Sequence, residues 1–153
     1  MYFPLFVDLS DKRILVVGAG QIARRRICVL EDFALHITVV APNVSVKENS
    51  RLTIIRRCFE EPDLDGMDIV LAATDNAALN RHIGEACKKR GILVNVCTDL
   101  HDCDFQFPSI VENGSVVIGI NASGQNHHLV KETRKKIEAL FEEEEIQSRY
   151  ETF

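Results

Sequence analysis

A strand-length, largely apolar run, Arg13-Ile14-Leu15-Val16-Val17, passes without a break into Gly18-Ala19-Gly20, and an amphipathic stretch opens at Gln21. A continuous run of this kind suits a parallel strand buried on both faces, because such a strand has no solvent side to mark with polar residues. Over residues 21–31 the positions Ile22, Ala23, Ile27 and Leu30 fall on one side of a helix, with Arg24, Arg25 and Arg26 crowded around its first turn. Strand, glycine turn and helix in that order are demanding. Gly18 permits the tight turn, Gly20 lets the backbone approach a pyrophosphate, and Ala23 is small enough for the helix to pack on the sheet. The helix N-terminus then aims unpaired N–H groups at an anion. Gly18, Gly20, Gln21 and Ile22 are therefore candidate cofactor-binding residues.

The same alternation continues. Residues 36–41 read as a second strand ended by Pro42-Asn43, and residues 52–56 as a short third. Residues 68–73 form a fourth strand, and Thr74-Asp75-Asn76 places oxygen-bearing side chains ahead of a helix over residues 77–90. Gly91 ends that helix, and residues 92–96 are a fifth strand. Strands alternating with helices of this length imply right-handed crossovers and an α/β doubly wound parallel sheet of Rossmann type. After Cys97 the pattern changes. Residues 105–111 and 115–120 are strand-like and joined by Glu112-Asn113-Gly114, a hairpin signal. A basic helix over residues 127–141 follows, and Glu142–Glu145 read as its solvated, fraying end. The expectation is a dinucleotide-binding domain over residues 1–111 and a hairpin-plus-helix element over 112–153 for dimerisation and substrate covering.

Composition narrows the rest. A net charge of −5 over 153 residues points away from nucleic acid and from an anionic membrane surface. No segment reaches the roughly 18 apolar residues of a membrane span, and the N-terminus does not read as a secretory signal. Five cysteines (Cys28, Cys58, Cys87, Cys97, Cys103), odd in number and without Cys-x-x-Cys spacing, fit reduced cytoplasmic thiols used for packing.

Ligands of doubly wound sheets lie at the carboxyl ends of the strands. Three segments fall there besides the glycine loop. After the second strand, the acid that usually binds the ribose about 20 residues on is absent. Asn43, with Pro42 beside it, can bond a ribose hydroxyl, and the missing charge equally admits a 2′-phosphate, so these residues leave NAD and NADP open. Thr74-Asp75-Asn76 follows the fourth strand, where helix capping accounts for the triplet and lining of the cofactor cleft, with Thr74 and Asp75 as candidates, is a second role. Asp99, His101, Asp102, Cys103 and Asp104 follow the fifth, matching no zinc signature. The tandem His127-His128 points about 100° apart on a helix and makes a poor metal pair.

Taken in order, YFPLF at residues 2–6, VVGAGQIARRR at 16–26, VVAPN at 39–43, AATDN at 72–76, VNV at 94–96 and CDFQFPSIV at 103–111 resemble the precorrin-2 dehydrogenase family, also found as the N-terminal module of sirohaem synthases. The resemblance implies a cytoplasmic homodimer that uses NAD to oxidise precorrin-2 to sirohydrochlorin in sirohaem biosynthesis. In some members ferrous iron is then inserted, which makes ferrous iron a candidate chelation substrate. It also implies cofactor contacts at Gln21, Ile22, Pro42 and Asn43. The family's catalytic Asp aligns with Thr98 here, with Asp99 one step later, so Asp99 is the expected proton-handling residue, with His101 and Asp104 in reserve and Asp104 read first as an anchor of the Cys-Asp-Phe turn. Two other readings of the same residues remain: a non-catalytic dinucleotide-sensing module, and a scaffold of the same fold that needs a partner.

Overall fold

The computed structural model describes residues 3–151, with side chains through Glu142. Tyr2 of the YFPLF motif lies outside the described residues. The chain folds into two compact units, Leu5–Phe105 and a second that joins Phe3 and Pro4 to the residues from Gln106 onward. The division falls before the expected boundary at residue 111, because the strand that spans that boundary pairs within the second unit.

The first unit is built on a five-stranded parallel sheet: β1 (Arg13–Val17), β2 (His36–Val40), β3 (Leu52–Ile55), β4 (Ile69–Ala72) and β5 (Leu93–Val96), in the order β3-β2-β1-β4-β5. Chain order reverses at β1, so the crevice beside β1 is the switch point where doubly wound folds take ligands. Helix α1 (Gln21–Phe33) follows β1 and α2 (Ala77–Arg90) follows β4. Because side chains alternate along a strand, Leu15, Val17, Val70, Ala72, Val94 and Val96 share one face, where they pack with Ile83, Ala86 and Cys87 of α2. Ile14, Val16, Ile37, Val39 and Leu71 point to the other face and are also buried, as are Ala23, Ile27 and Leu30 of α1. Both faces are covered, which is why the strands read as apolar runs rather than alternating ones.

The second unit holds the antiparallel hairpin β6 (Ser109–Asn113) and β7 (Val116–Ile120) and helix α3 (His127–Glu151). Three expectations need correction. The first hairpin strand begins four residues later than expected. Asn113 pairs with Val116 as a strand residue, so the turn is Gly114-Ser115; Gly114 at φ +56 fits the first position of a type II′ turn. Helix α3 continues through the glutamates to Glu151 instead of ending near residue 141, in keeping with the good helix propensity of glutamate.

Candidate functional site

The glycine loop is fixed from two sides. Gly18 N–H donates to Val40 O at 2.9 Å, tying the loop to the end of β2. A Cβ on Gly18 would lie 2.4 Å from Ala73 O, and its φ of +104 is one that L side chains rarely adopt. Gly18 is a glycine because the end of β4 presses against it. Gly20 is different. Its φ of −69 suits any residue, and a Cβ there would meet nothing within 4 Å. Nothing in this chain requires a glycine at position 20, and the vacant space in front of it accommodates a group approaching from outside.

That space lies before the N-terminus of α1. Gly20 is the N-cap and no side chain caps the helix, so the first-turn N–H groups, which no helix can bond internally, face outward. Gln21 and Ile22 are exposed on this turn, Ile22 at 52% despite its apolar side chain. Pro42 and Asn43 are exposed just beyond β2. The donor set, the open cradle and the macrodipole together suit a pyrophosphate. Gln21, Ile22, Pro42 and Asn43 are exposed around this space.

After β4 the chain is self-contained. Asn76 caps α2, its side chain accepting from Leu79 N–H at 3.0 Å. Thr74 serves a residue that the sequence did not single out, Asn80, which is fully buried in the second turn of α2. Asn80 Oδ1 accepts from Thr74 N–H at 3.1 Å and from Thr74 Oγ1 at 2.6 Å, and its Nδ2 donates to Thr74 O at 3.0 Å and to Thr98 Oγ1 at 3.5 Å. One side chain thereby ties the end of β4 to the turn after β5. Asp75 is exposed beside this knot and takes no part in it.

The turn after β5 carries Asp99. Asp99 N–H bonds Val96 O at 3.3 Å, so the chain leaves strand geometry immediately after Val96. Asp99 caps the short 3-10 helix Leu100–Asp102 by accepting from His101 N–H at 2.9 Å through Oδ1. Asp102 faces Arg81 and Lys88 of α2 at 3.9 Å. His101 is exposed, as are His127 and His128 at the start of α3. Among the described residues no group of three or more His, Cys, Asp or Glu is arranged to hold a metal ion.

Cys103 and Asp104 have architectural work. Asp104 and Val94 exchange two bonds, Asp104 N–H to Val94 O at 2.8 Å and Val94 N–H to Asp104 Oδ2 at 2.9 Å. Val96 N–H donates to Cys103 Sγ at 3.2 Å, and Asn95 Nδ2 donates to Phe105 O at 2.7 Å. The Cys-Asp-Phe segment thus runs along the outer side of β5 and holds it largely through side chains. Burial pushes the Cys103 thiol up from its ordinary pKa, keeping it protonated at neutral pH. Burial likewise raises Cys97, which accepts from Arg26, a residue that also bonds Asn95 Oδ1. Cys87 is buried and pushed up to about 12 by desolvation, and Cys103 packs in part against the same core; Cys28 and Cys58 are exposed, so the expected packing role does not account for them.

Residues 5–109 match the family described as putative NAD(P)-binding. The chain is 35% identical over 144 residues to the sirohaem synthase of Zymomonas mobilis, covering 91% of this chain and 31% of that protein. It is 37% identical over 143 residues to that of Psychrobacter sp., covering 90% and 29%. This chain therefore spans less than a third of the length of these curated relatives. The solved structure of SirC, precorrin-2 dehydrogenase, superposes with a TM-score of 0.75 at 30% identity, covering 90% of this chain and 70% of that one. No helix among the described residues is long and apolar enough to cross a membrane. The fold, the glycine loop and these likenesses together make the chain a member of the putative NAD(P)-binding family, in the branch that holds precorrin-2 dehydrogenase and the sirohaem synthases.

Proposed function

We propose that this chain oxidises precorrin-2 to sirohydrochlorin with NAD as the acceptor, in the biosynthesis of sirohaem. The observation that carries this reading is the uncapped α1 N-terminus behind the vacant cradle at Gly20. It stands in a fold that superposes on a precorrin-2 dehydrogenase. When bound, the dinucleotide supplies a hydride acceptor at its nicotinamide. The chain holds its pyrophosphate at Gly18–Ile22 and its ribose near Pro42 and Asn43, while Thr74 and Asp75 line the adjoining strand end. Loss of a hydride from the macrocycle leaves one proton to be shed, and Asp99 is the residue to which we assign it. Its Oδ1 is engaged by His101 N–H, and Oδ2 has no partner among the described residues. Thr98, one step earlier, cannot act as a carboxylate base at neutral pH.

The test is anaerobic incubation of the chain with precorrin-2 and NAD, following sirohydrochlorin by absorbance. Asp99→Asn separates chemistry from architecture, because asparagine caps a helix as well as aspartate does. The expected result is unchanged stability with a rate loss of about 10²-fold, the scale of a general acid–base group. Full activity in that variant would leave solvent as the proton acceptor. Dinucleotide binding without any turnover of the tetrapyrrole would favour a sensing module. Ferrous iron enters this scheme only as a chelation substrate, read as sirohaem when iron is added to the product.

We further infer a cytoplasmic homodimer built partly from the second unit. All five cysteines are free thiols, as a reducing compartment leaves them. In the second unit Val116, Leu129 and Leu140 are each half or more exposed, apolar surface that a second copy would cover. Sedimentation at micromolar concentration is expected to give a dimer, and a monomer with and without dinucleotide would refute it.

A further inference from the structure

We propose that the dinucleotide site accepts the 2′-phosphate of NADP as readily as the free ribose of NAD, and that Arg24 is the residue that receives it. The inference rests on the dinucleotide-binding reading above and sharpens it. In a doubly wound fold the end of the second strand decides this choice: an acid there bonds the ribose 2′-hydroxyl and repels a phosphate, whereas an arginine nearby accommodates the phosphate.

Here the end of β2 is held against the glycine loop by the bond from Gly18 N–H to Val40 O. The segment that follows, Ala41-Pro42-Asn43-Val44-Ser45-Val46-Lys47, contains no carboxylate. The first acid beyond it is Glu48, and its Oε1 accepts from Ile54 N–H at 3.0 Å, so it is committed to the backbone of β3. On the opposite side stands Arg24, one turn into α1. Its Nη1 donates to Ser45 Oγ at 3.2 Å, which carries the guanidinium across to the loop after β2. Arg24 is exposed, and no carboxylate within ion-pairing distance of it is found among the described residues. Lys47 is exposed on the same loop.

The chemistry follows from these placements. A 2′-phosphate is a doubly charged monoester at neutral pH, and a guanidinium offers it several donors in a planar fork. Ser45 supplies a hydroxyl beside that fork. Binding of the phosphate costs Arg24 no existing ion pair, since its present partner is a neutral hydroxyl that can bond the same phosphate. Asn43, unlike an acid at that place, neither repels the phosphate nor needs it, so NAD keeps its own hydroxyl contact.

Calorimetric titration of the full chain with NAD and with NADP decides the matter by the ratio of their dissociation constants. The expected wild-type ratio is within about threefold of unity, at most about 0.65 kcal/mol of discrimination. Arg24→Ala is expected to raise the NADP-to-NAD ratio about tenfold or more. Asn43→Asp is expected to shift it in the same direction by adding the missing charge. Both positions are exposed, so neither substitution disturbs the core. A wild-type ratio above about thirtyfold in favour of NAD, or an Arg24→Ala ratio equal to wild type, overturns the proposal while leaving the dinucleotide reading in place. Failure of both dinucleotides to bind overturns that reading and this inference together.

Discussion

Helices α1 and α2 begin at the same margin of the same sheet, one behind β1 and the other behind β4, yet their N-termini are finished in opposite ways. At α2 the chain attends to its own orphan donors: Asn76 caps the helix, and Asn80 locks Thr74 and reaches Thr98. At α1 the N-cap is a glycine, no side-chain capping bond is made among the described residues, and the space before Gly20 is vacant. Unsatisfied donors at a helix end cost stability unless water or a ligand takes them. The difference teaches where the fold has spent its own polar groups on architecture and where it has held them back for an anion. Adjacent ends of one sheet thus divide the labour of rigidity and binding.

The contrast can be broken most severely within the glycine loop itself. Gly18→Ala forces a Cβ to 2.4 Å from Ala73 O at a φ of +104, and is expected to cost about 2–5 kcal/mol from strain and overpacking together. Thermal or denaturant unfolding reads this loss, and a melting temperature equal to wild type would refute the assigned role of Gly18. Gly20→Asp sharpens the comparison by giving α1 the kind of cap that α2 already has. The extended φ and ψ at this position suit a capping aspartate, so stability is expected to rise by a few tenths of a kcal/mol. Dinucleotide affinity is expected to fall about 100-fold, near 2.7 kcal/mol, because a carboxylate then stands where the pyrophosphate docks. Gly20→Val removes the cap but keeps the obstruction, and the same loss of binding is expected. The smallest effect belongs to the other helix: Asn76→Ala should cost about 1 kcal/mol of stability and shift dinucleotide affinity by less than about twofold.

How much of this was legible follows from the kind of interaction involved. Strand β1 and helix α2 were bounded correctly from residues alone, because burial on both faces and an Asn-to-Gly frame leave local marks. The glycine loop was legible for the same reason. Asn80 was not: a polar residue in the middle of a helical pattern reads as solvent-facing, and only the meeting of β4, α2 and the turn after β5 makes it a buried hub. Arg26 was one of three arginines on a turn that reads as solvated, yet it bonds Asn95 and Cys97 near the end of β5. The start of β6 is not legible, because Phe105–Pro108 have strand-like composition while Cys103 and Asp104 hold the preceding residues to β5. Long-range side-chain bonds of this sort have no signature in sequence spacing. The departure at Thr98 was visible in the sequence, and the turn after Val96 brings Asp99 out of strand alternation.

The sealing of β5 by the Cys-Asp-Phe segment bears on how the molecule behaves in a crowd. The outermost strands of an open sheet are templates on which another chain can add, and long flat margins invite fibrous growth. Here Asp104 and Cys103 occupy backbone groups of Val94 and Val96 along one margin, and the Asn95 side chain holds Phe105 O beside them. On the other, Leu52 exchanges bonds with Asn49 while Glu48 takes Ile54 N–H. A growing stack of sheets would find no open rung at those places, and strand exchange between copies would first have to unpick bonds made within each chain. Residues 103–105, conspicuous in the sequence for their chemistry, act as a selvedge: they finish the cloth so that it does not run.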